Sequence, residues 1–126
     1  MGAVDTNVLV RLIARDDSRQ SAAADHFIAT TAWVPVVALV EAAWVLRRVY
    51  KLGHQELVDT IETLLGHQNL VVQDADTIAD ALELFRSHPA LGFTDCVILE
   101  TVRRAGQLPL RTFDRKLGKM QGAKTL

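Results

Sequence analysis

The sequence alternates short apolar runs with longer segments whose apolar residues recur at helical spacing, and this alternation constrains the fold most strongly. Apolar runs of strand length end at residue 4 and cover residues 32–35, 70–72 and 108–112, with a further edge strand expected at 123–126. Short strands that alternate with helices imply parallel pairing, with helices on both faces of the sheet. We therefore predict an α/β fold, a three-layer α/β/α arrangement with a mostly parallel central sheet of four to five short strands.

The segments between these strands carry apolar residues three and four positions apart, which predicts helices. The expected helices begin after residue 5 and cover roughly 19–29, 36–51, 54–68, 74–88, 95–105 and 114–120. Side chains that accept hydrogen bonds from free helix N–H groups are expected at three of the starts, from Thr6 or Asn7, Ser18 and Thr94. Gly53 is expected to end the long helix that starts at residue 36.

Length and composition indicate a single globular domain that covers residues 1–126. Of the 126 residues, 49% are apolar and 23% charged, which excludes a disordered chain. The single cysteine, Cys96, excludes an internal disulfide and fits a reducing compartment. The sequence has neither the ~18-residue apolar run of a membrane span nor a secretory signal, so we expect a cytoplasmic protein with no membrane partner.

Four acidic residues stand out because of their position relative to the predicted elements. Asp5 closes the first strand, Asp114 follows the fourth, and Asp95 begins a helix after a glycine-containing connection. In open α/β sheets ligands bind beyond the carboxyl ends of the strands. Glu41 lies within the most apolar helix, where a carboxylate needs a partner. That partner is either an arginine in a structural ion pair or a shared cation.

Each acid alone is better explained as a helix cap or turn residue, but the four together favour a metal site. Carboxylates brought together repel one another unless a cation lies between them, and Mg²⁺ prefers such hard oxygen ligands. No other nucleophile competes, because Cys96 is expected in the core. The histidines show no metal-ligand spacing and are expected at the surface: His26, His54, His67 and His88.

Four acidic motifs of this chain resemble those of PIN-domain nucleases, and more closely those of the VapC-type toxins of bacterial and archaeal toxin–antitoxin pairs. They are Val4–Leu9 around Asp5, Glu41 in the long helix, Gly92–Asp95 and Thr112–Asp114. The motifs follow the family's order over essentially the whole chain, and they are specific as a set although no single one is.

The resemblance implies a PIN-like fold and an Mg²⁺-dependent endoribonuclease, in which Mn²⁺ can substitute, that hydrolyses phosphodiesters of tRNA, rRNA or mRNA. It also implies a cognate antitoxin protein and a homodimer. Carried over to this sequence, the catalytic metal ligands are Asp5, Glu41, Asp95 and Asp114. The residues that would support the site are Thr6, Asn7 and Thr94, and those that would contact RNA phosphates are Arg115 and Lys116.

A non-catalytic Mg²⁺-binding interaction or signalling domain is the alternative. A receiver-like domain needs an acid at the end of its third strand and an acid pair near the first, whereas here Asp5 is followed by Thr6. An aspartate-nucleophile phosphatase typically has D-x-D, and Asn7 occupies the second acidic position. A domain that only binds an antitoxin would have no chemical need for all four acids.

Charge is distributed unevenly, with a net charge of −7 over residues 1–102 and +6 over residues 103–126. The basic residues of the second segment are Arg103, Arg104, Arg111, Arg115, Lys116, Lys119 and Lys124. They form either an ordinary solvated surface or a phosphate-binding edge. A second group either complements a helix dipole or guides RNA: Arg47, Arg48 and Lys51. Trp33 and Trp44 belong either to the core or to a dimer interface.

Overall fold

The protein, described over residues 1–126 by a computed structural model, contains two compact units. The first unit is Met1–Ala75 and the second is Asp76–Leu126. No helix in either unit has the length and apolar character that crossing a membrane requires.

The first unit contains a three-stranded parallel sheet in the order β1-β2-β3. Its elements are β1 (Gly2–Ala3), α1 (Thr6–Ala14), α2 (Ser18–Ile28), β2 (Ala32–Val34), α3 (Val36–Arg48), α4 (His54–Gly66) and β3 (Leu70–Val72). Ala32 of the central strand pairs with Gly2 on one side and with Leu70 on the other. The carboxyl ends of all three strands therefore lie at one edge of the sheet.

The second unit contains two longer helices and a small parallel pair of strands. Its elements are α5 (Ala75–Ser87), which starts at the boundary, α6 (Phe93–Arg104), β4 (Leu110–Thr112), α7 (Arg115–Gly118) and β5 (Ala123–Thr125). β4 and β5 pair in register, with Arg111 opposite Lys124. The predicted α/β fold with short, parallel strands is confirmed, but the five strands are divided between a three-stranded and a two-stranded sheet instead of forming one central sheet of four to five strands.

Apolar periodicity explains which faces are buried. In the first unit, fully buried side chains come from three helices, among them Leu9, Leu39 and Ile61. In the second unit, Ile78 and Leu99 are fully buried, and the rings of Phe85 and Phe93 meet edge to face with centroids 5.7 Å apart. Burying each such side chain contributes about 1.5–3 kcal/mol, which holds the short helices in place.

The helix boundaries match the prediction to within three residues, but the predicted caps are wrong at several ends. α1 is capped by Asp5 rather than Thr6 or Asn7, and α2 by Asp17 rather than Ser18. In both helices the aspartate is in an extended conformation one residue before the helix, and its carboxylate accepts from the N–H group three residues on.

Two further predictions of helix ends, those at Thr94 and Gly53, are wrong. α6 begins at Phe93, with Gly92 at its cap, so Thr94 lies inside the first turn and is not the cap. Packing of the Phe93 ring on Phe85 favours this earlier start. Gly53 does not end α3, which stops at Arg48; it precedes α4, where its N–H group donates to the Glu56 carboxylate at 2.9 Å.

Gly118 allows α7 to pack closely on β5, and this contact gives a stability prediction. A Cβ at Gly118 would collide with the Thr125 side chain and lie 3.1 Å from the Thr125 backbone nitrogen. Gly118→Ala is therefore expected to lower the free energy of unfolding by about 1–3 kcal/mol, measured by urea denaturation. The matched control is Gly66→Ala, because no atom lies within 4 Å of a Cβ built at Gly66. Equal stability of the two variants would contradict this account of the α7–β5 packing.

Candidate metal centre

Asp5 lies where β1 turns into α1, at the carboxyl edge of the three-stranded sheet. Its Oδ1 accepts a hydrogen bond from the N–H group of Val8 at 3.2 Å, which fixes the orientation of the carboxylate. The side chain is exposed, so its other oxygen is open to solvent. Asp5 therefore combines a structural role as helix cap with an oxygen that can bind a cation.

Glu41 lies on α3, which starts directly after β2 at the same edge of the sheet. The carboxylate is exposed and takes part in no ion pair, so the alternative of a structural pair with an arginine is excluded. Glu41 is exposed because α3 buries the opposite face, which carries Leu39, Ala42 and Leu46. Glu41 is thus an exposed carboxylate without an ion pair, on a helix whose other charged residues are Arg47 and Arg48.

The start of α3 is fixed by Gln73, a residue for which the sequence predicted no role. Pro35 caps α3 without a side-chain hydrogen bond. Instead the Gln73 Oε1 accepts from the N–H group of Val36 at 2.9 Å, while the Gln73 N–H group donates to the carbonyl of Val34 at 2.9 Å. Gln73 thereby fixes the end of β2 relative to the helix that carries Glu41.

Asp95 and Asp114 interact within the second unit. Partial burial raises the pKa of Asp95, and the negative charge of Asp114 raises it further. Among the four predicted ligands, this is the pair between which an electrostatic interaction is evident. Two carboxylates that repel each other favour the binding of a proton or a cation.

Three hydrogen bonds with backbone or side-chain groups of neighbouring residues hold Asp114 at the turn between β4 and α7. Its Oδ1 accepts from the N–H group of Leu117 at 2.9 Å, and its carbonyl accepts from the N–H group of Gly118 at 2.9 Å. Its own N–H group donates to the Thr112 hydroxyl at 3.0 Å. Thr112 is therefore a positioning residue that the sequence motif contained but to which no role was assigned.

The remaining predicted site residues are all at least partly accessible. Thr6 is half-buried, whereas Thr94, Arg115 and Lys116 are exposed. Asn7 is exposed and lines a cavity of about 390 Å³ formed by residues of α1 and α2. No three or more His, Cys, Asp or Glu side chains form a group that could hold a metal ion.

The basic segment at residues 103–124 divides into paired and unpaired cations. Arg103 pairs with Glu100 at 3.2 Å, and Arg104 pairs with Asp80 at 2.7 Å. These two arginines support α6 and do not belong to a free phosphate-binding edge. The exposed cations that form no ion pair are Arg111, Arg115, Lys116, Lys119 and Lys124.

The basic end of α3 and the two tryptophans were also candidates for a functional role, and the histidines were expected at the surface. Arg47 donates to the carbonyl of Leu52 at 2.7 Å, which supports the structural explanation for the basic end of α3. Trp33 is 37% and Trp44 55% exposed, so neither is a core residue. Of the four histidines expected at the surface, His26 is exposed, whereas His54, His67 and His88 are half-buried.

Cys96 is excluded as a nucleophile by its environment. It is fully buried, as predicted, and burial raises the pKa of its thiol to about 12, with the charges of Asp95 and Glu100 adding to the effect. Its thiol therefore stays protonated at neutral pH.

Asp5 and Asp114 lie at strand-to-helix junctions of an α/β protein, one in each unit. A model of the PIN domain family matches residues 3–123, a range that contains all four predicted acids. The chain therefore belongs to the PIN domain family. PIN domains are generally nucleases, hydrolases that act on nucleic acids and commonly depend on divalent metal ions. A search of curated proteins finds no match to the chain.

The capping role of Asp5 can be separated from its charge. Asn caps helices about as well as Asp, whereas Ala costs about 1 kcal/mol. Asp5→Ala is therefore expected to lower the free energy of unfolding by about 1 kcal/mol, and Asp5→Asn by much less. The matched pair Asp17→Ala and Asp17→Asn should behave in the same way, because Asp17 caps α2 through the N–H group of Gln20. Equal losses for Asp5→Ala and Asp5→Asn in urea denaturation would contradict the capping role.

The raised pKa of Asp95 predicts how stability depends on pH without metal. The folded protein retains the Asp95 proton at pH values where the unfolded chain, with an aspartate pKa near 3.8, has released it. Stability should therefore fall as the pH rises from about 3.8 through the raised pKa of Asp95, and this loss should persist at neutral pH. Asp95→Asn should remove the loss, and Asp114→Asn should reduce it, since burial of Asp95 remains.

Urea denaturation in EDTA from about pH 3 to pH 7 measures this effect. A constant difference in stability between the wild type and Asp95→Asn across the range would contradict the raised pKa of Asp95.

Proposed function

We propose that this chain is a metal-dependent endoribonuclease formed by one PIN domain over residues 1–126. The family match over residues 3–123 supports nuclease chemistry. The single observation that carries the proposal is this family match, and it is supported by the raised pKa of Asp95, which partial burial and the charge of Asp114 cause. A site built in this way favours a divalent cation over an empty pair of carboxylates.

The proposed donors are carboxylate oxygens, which are the hard ligands that Mg²⁺ prefers. The residues proposed to hold the metal are Asp5, Glu41, Asp95 and Asp114. Bound Mg²⁺, or Mn²⁺ in its place, would make a water molecule more acidic and neutralise charge that develops on the phosphodiester.

The protein's own residues position these carboxylates before a substrate arrives. Thr112 and the first turn of α7 hold Asp114, and the first turn of α1 holds Asp5. Gln73 fixes the start of the helix that carries Glu41. Hydrogen bonds that fix carboxylates in advance reduce the reorganisation that catalysis requires.

Arg115 and Lys116 are proposed to bind RNA phosphates. Both are exposed beside Asp114, and neither forms an ion pair. Thr6, Asn7 and Thr94 are proposed to support the acids from neighbouring positions in the chain. A phosphate bound next to the carboxylates would place the scissile bond near the metal.

The finer proposal is that the enzyme is the toxin of a VapBC-type toxin–antitoxin pair, acts on tRNA, rRNA or mRNA in the cytoplasm, and forms a homodimer. The order and spacing of the four acidic motifs support the toxin assignment. A cognate antitoxin protein would then restrain the nuclease. The partly exposed Trp33 and Trp44 offer apolar surface for a protein partner or a second copy.

Cleavage of a mixed pool of tRNA and rRNA by purified protein tests the function. We expect cutting with Mg²⁺ or Mn²⁺ and none with EDTA. Asp95→Asn should lower the cleavage rate by about 100-fold or more, because even residues that only orient metal ligands contribute about 10–100-fold.

The matched control is Asp17→Asn, an equivalent change at a helix cap outside the proposed site. It should cut RNA at the wild-type rate. If folded Asp95→Asn protein cut RNA as fast as wild type, the metal-ligand assignment would be wrong.

A further inference from the structure

Phe113 is an aromatic residue that the proposed chemistry does not use and the fold does not bury. Its side chain is 81% exposed, whereas Phe85 and Phe93 of the same unit are 3% and 5% exposed. Single exposed apolar residues are common on protein surfaces. Phe113 differs because it directly precedes Asp114, so its backbone is about 3.8 Å from that of a proposed metal ligand.

The backbone on both sides of Phe113 is fixed. On one side, the carbonyl of Thr112 accepts from the N–H group of Leu126 at 2.8 Å, and the Thr112 hydroxyl accepts from that of Asp114 at 3.0 Å. On the other side, Asp114 caps α7 through the N–H group of Leu117 at 2.9 Å. The ring therefore projects into solvent from a rigid turn, which lowers the entropic cost of using it to bind a ligand.

Two exposed cations without an ion pair lie on one face of the β4–β5 pair, and β4 ends directly before Phe113. Arg111 is the middle residue of β4, two residues before Phe113, and it is exposed. Lys124 shares its face of the strand pair, because the two residues lie opposite each other in the parallel register. We call Arg111 and Lys124, together with the adjoining Phe113, the β4–β5 face.

An exposed ring flanked by unpaired cations suits single-stranded nucleic acid. Nucleobases stack on aromatic rings, and cations bind the intervening phosphates. A base within a duplex is already stacked on its neighbours and cannot cover the ring without being unstacked. The cations favour this polyanionic ligand over an apolar protein surface.

We propose that Phe113 stacks on an unpaired nucleobase next to the scissile phosphate, and that the β4–β5 face thereby selects single-stranded or looped RNA. This inference rests on the proposed nuclease function and assigns a specificity-determining residue to it. Phe113 takes no part in the bond-breaking step; it determines which phosphodiesters reach the carboxylates.

RNA binding by Asp95→Asn protein, which serves as the parent for all variants, tests the proposal without cleavage. The RNA ligands in this experiment are mixed-sequence single-stranded oligomers that contain fluorescent 2-aminopurine, and a fully paired duplex of the same length. We expect tighter binding of the single strand, with quenching of the fluorescent base. Phe113→Ala should weaken this binding by about 5- to 150-fold and abolish the quenching, and Phe113→Trp should restore both.

Phe27→Ala is the control, since Phe27 is an exposed aromatic residue of the other unit at 46% exposure. It should bind RNA like the parent. Arg111→Ala and Lys124→Ala should each lower the salt dependence of single-strand binding, by about 0.7 in the slope of log K against log salt.

Two results would overturn the inference. The first is equal RNA affinity of Phe113→Ala and the parent, which would indicate that this face binds a protein instead of RNA. The second is equal affinity of the parent for duplex and for single-stranded RNA. Phe113-dependent binding by a wild-type protein that cleaves no RNA would instead contradict the nuclease proposal alone.

Discussion

Two carboxylates of this protein are fixed by the same interaction, a hydrogen bond from a backbone N–H group that is free because a strand has just turned into a helix. Asp5 accepts it from the first turn of α1, and Asp114 accepts it from the first turn of α7. The bond uses one oxygen of each carboxylate and orients the other. Asp5 and Asp114 are thus both helix caps and charged groups. The positions at which helices start therefore determine where these two carboxylates lie.

The second unit shows the electrostatic consequence of this arrangement. Burial and the charge of Asp114 both disfavour the ionised form of Asp95, which is the form that the proposed chemistry needs. Without a cation, ionised Asp95 therefore lowers the stability of the folded protein. A divalent cation would remove this conflict. In the second unit the negative charges of Asp95 and Asp114 therefore act on each other, while the unpaired cations Arg115 and Lys116 are exposed beside Asp114, where we propose that they bind phosphate.

Much of the fold could be predicted from the sequence because its signals are local: apolar runs gave the five strands, and helical spacing gave the helices. The failures arise from contacts that local patterns do not contain. Thr94 loses the predicted cap because ring packing moves the helix start, and Arg103 pairs with Glu100 instead of facing a ligand. Gln73 fixes α3 from a position 37 residues away. The acid positions were predictable, but whether Glu41 is buried depends on which face of α3 packs.

The central claim is that Asp95 and Asp114 together bind a divalent cation, and anomalous diffraction from a crystal soaked in Mn²⁺ tests it most directly. The account predicts a manganese peak within about 2.0–2.3 Å of an oxygen of each carboxylate. A crystal in which Mn²⁺ binds elsewhere, while Asp95 and Asp114 share a proton or pair with a basic side chain, would contradict it.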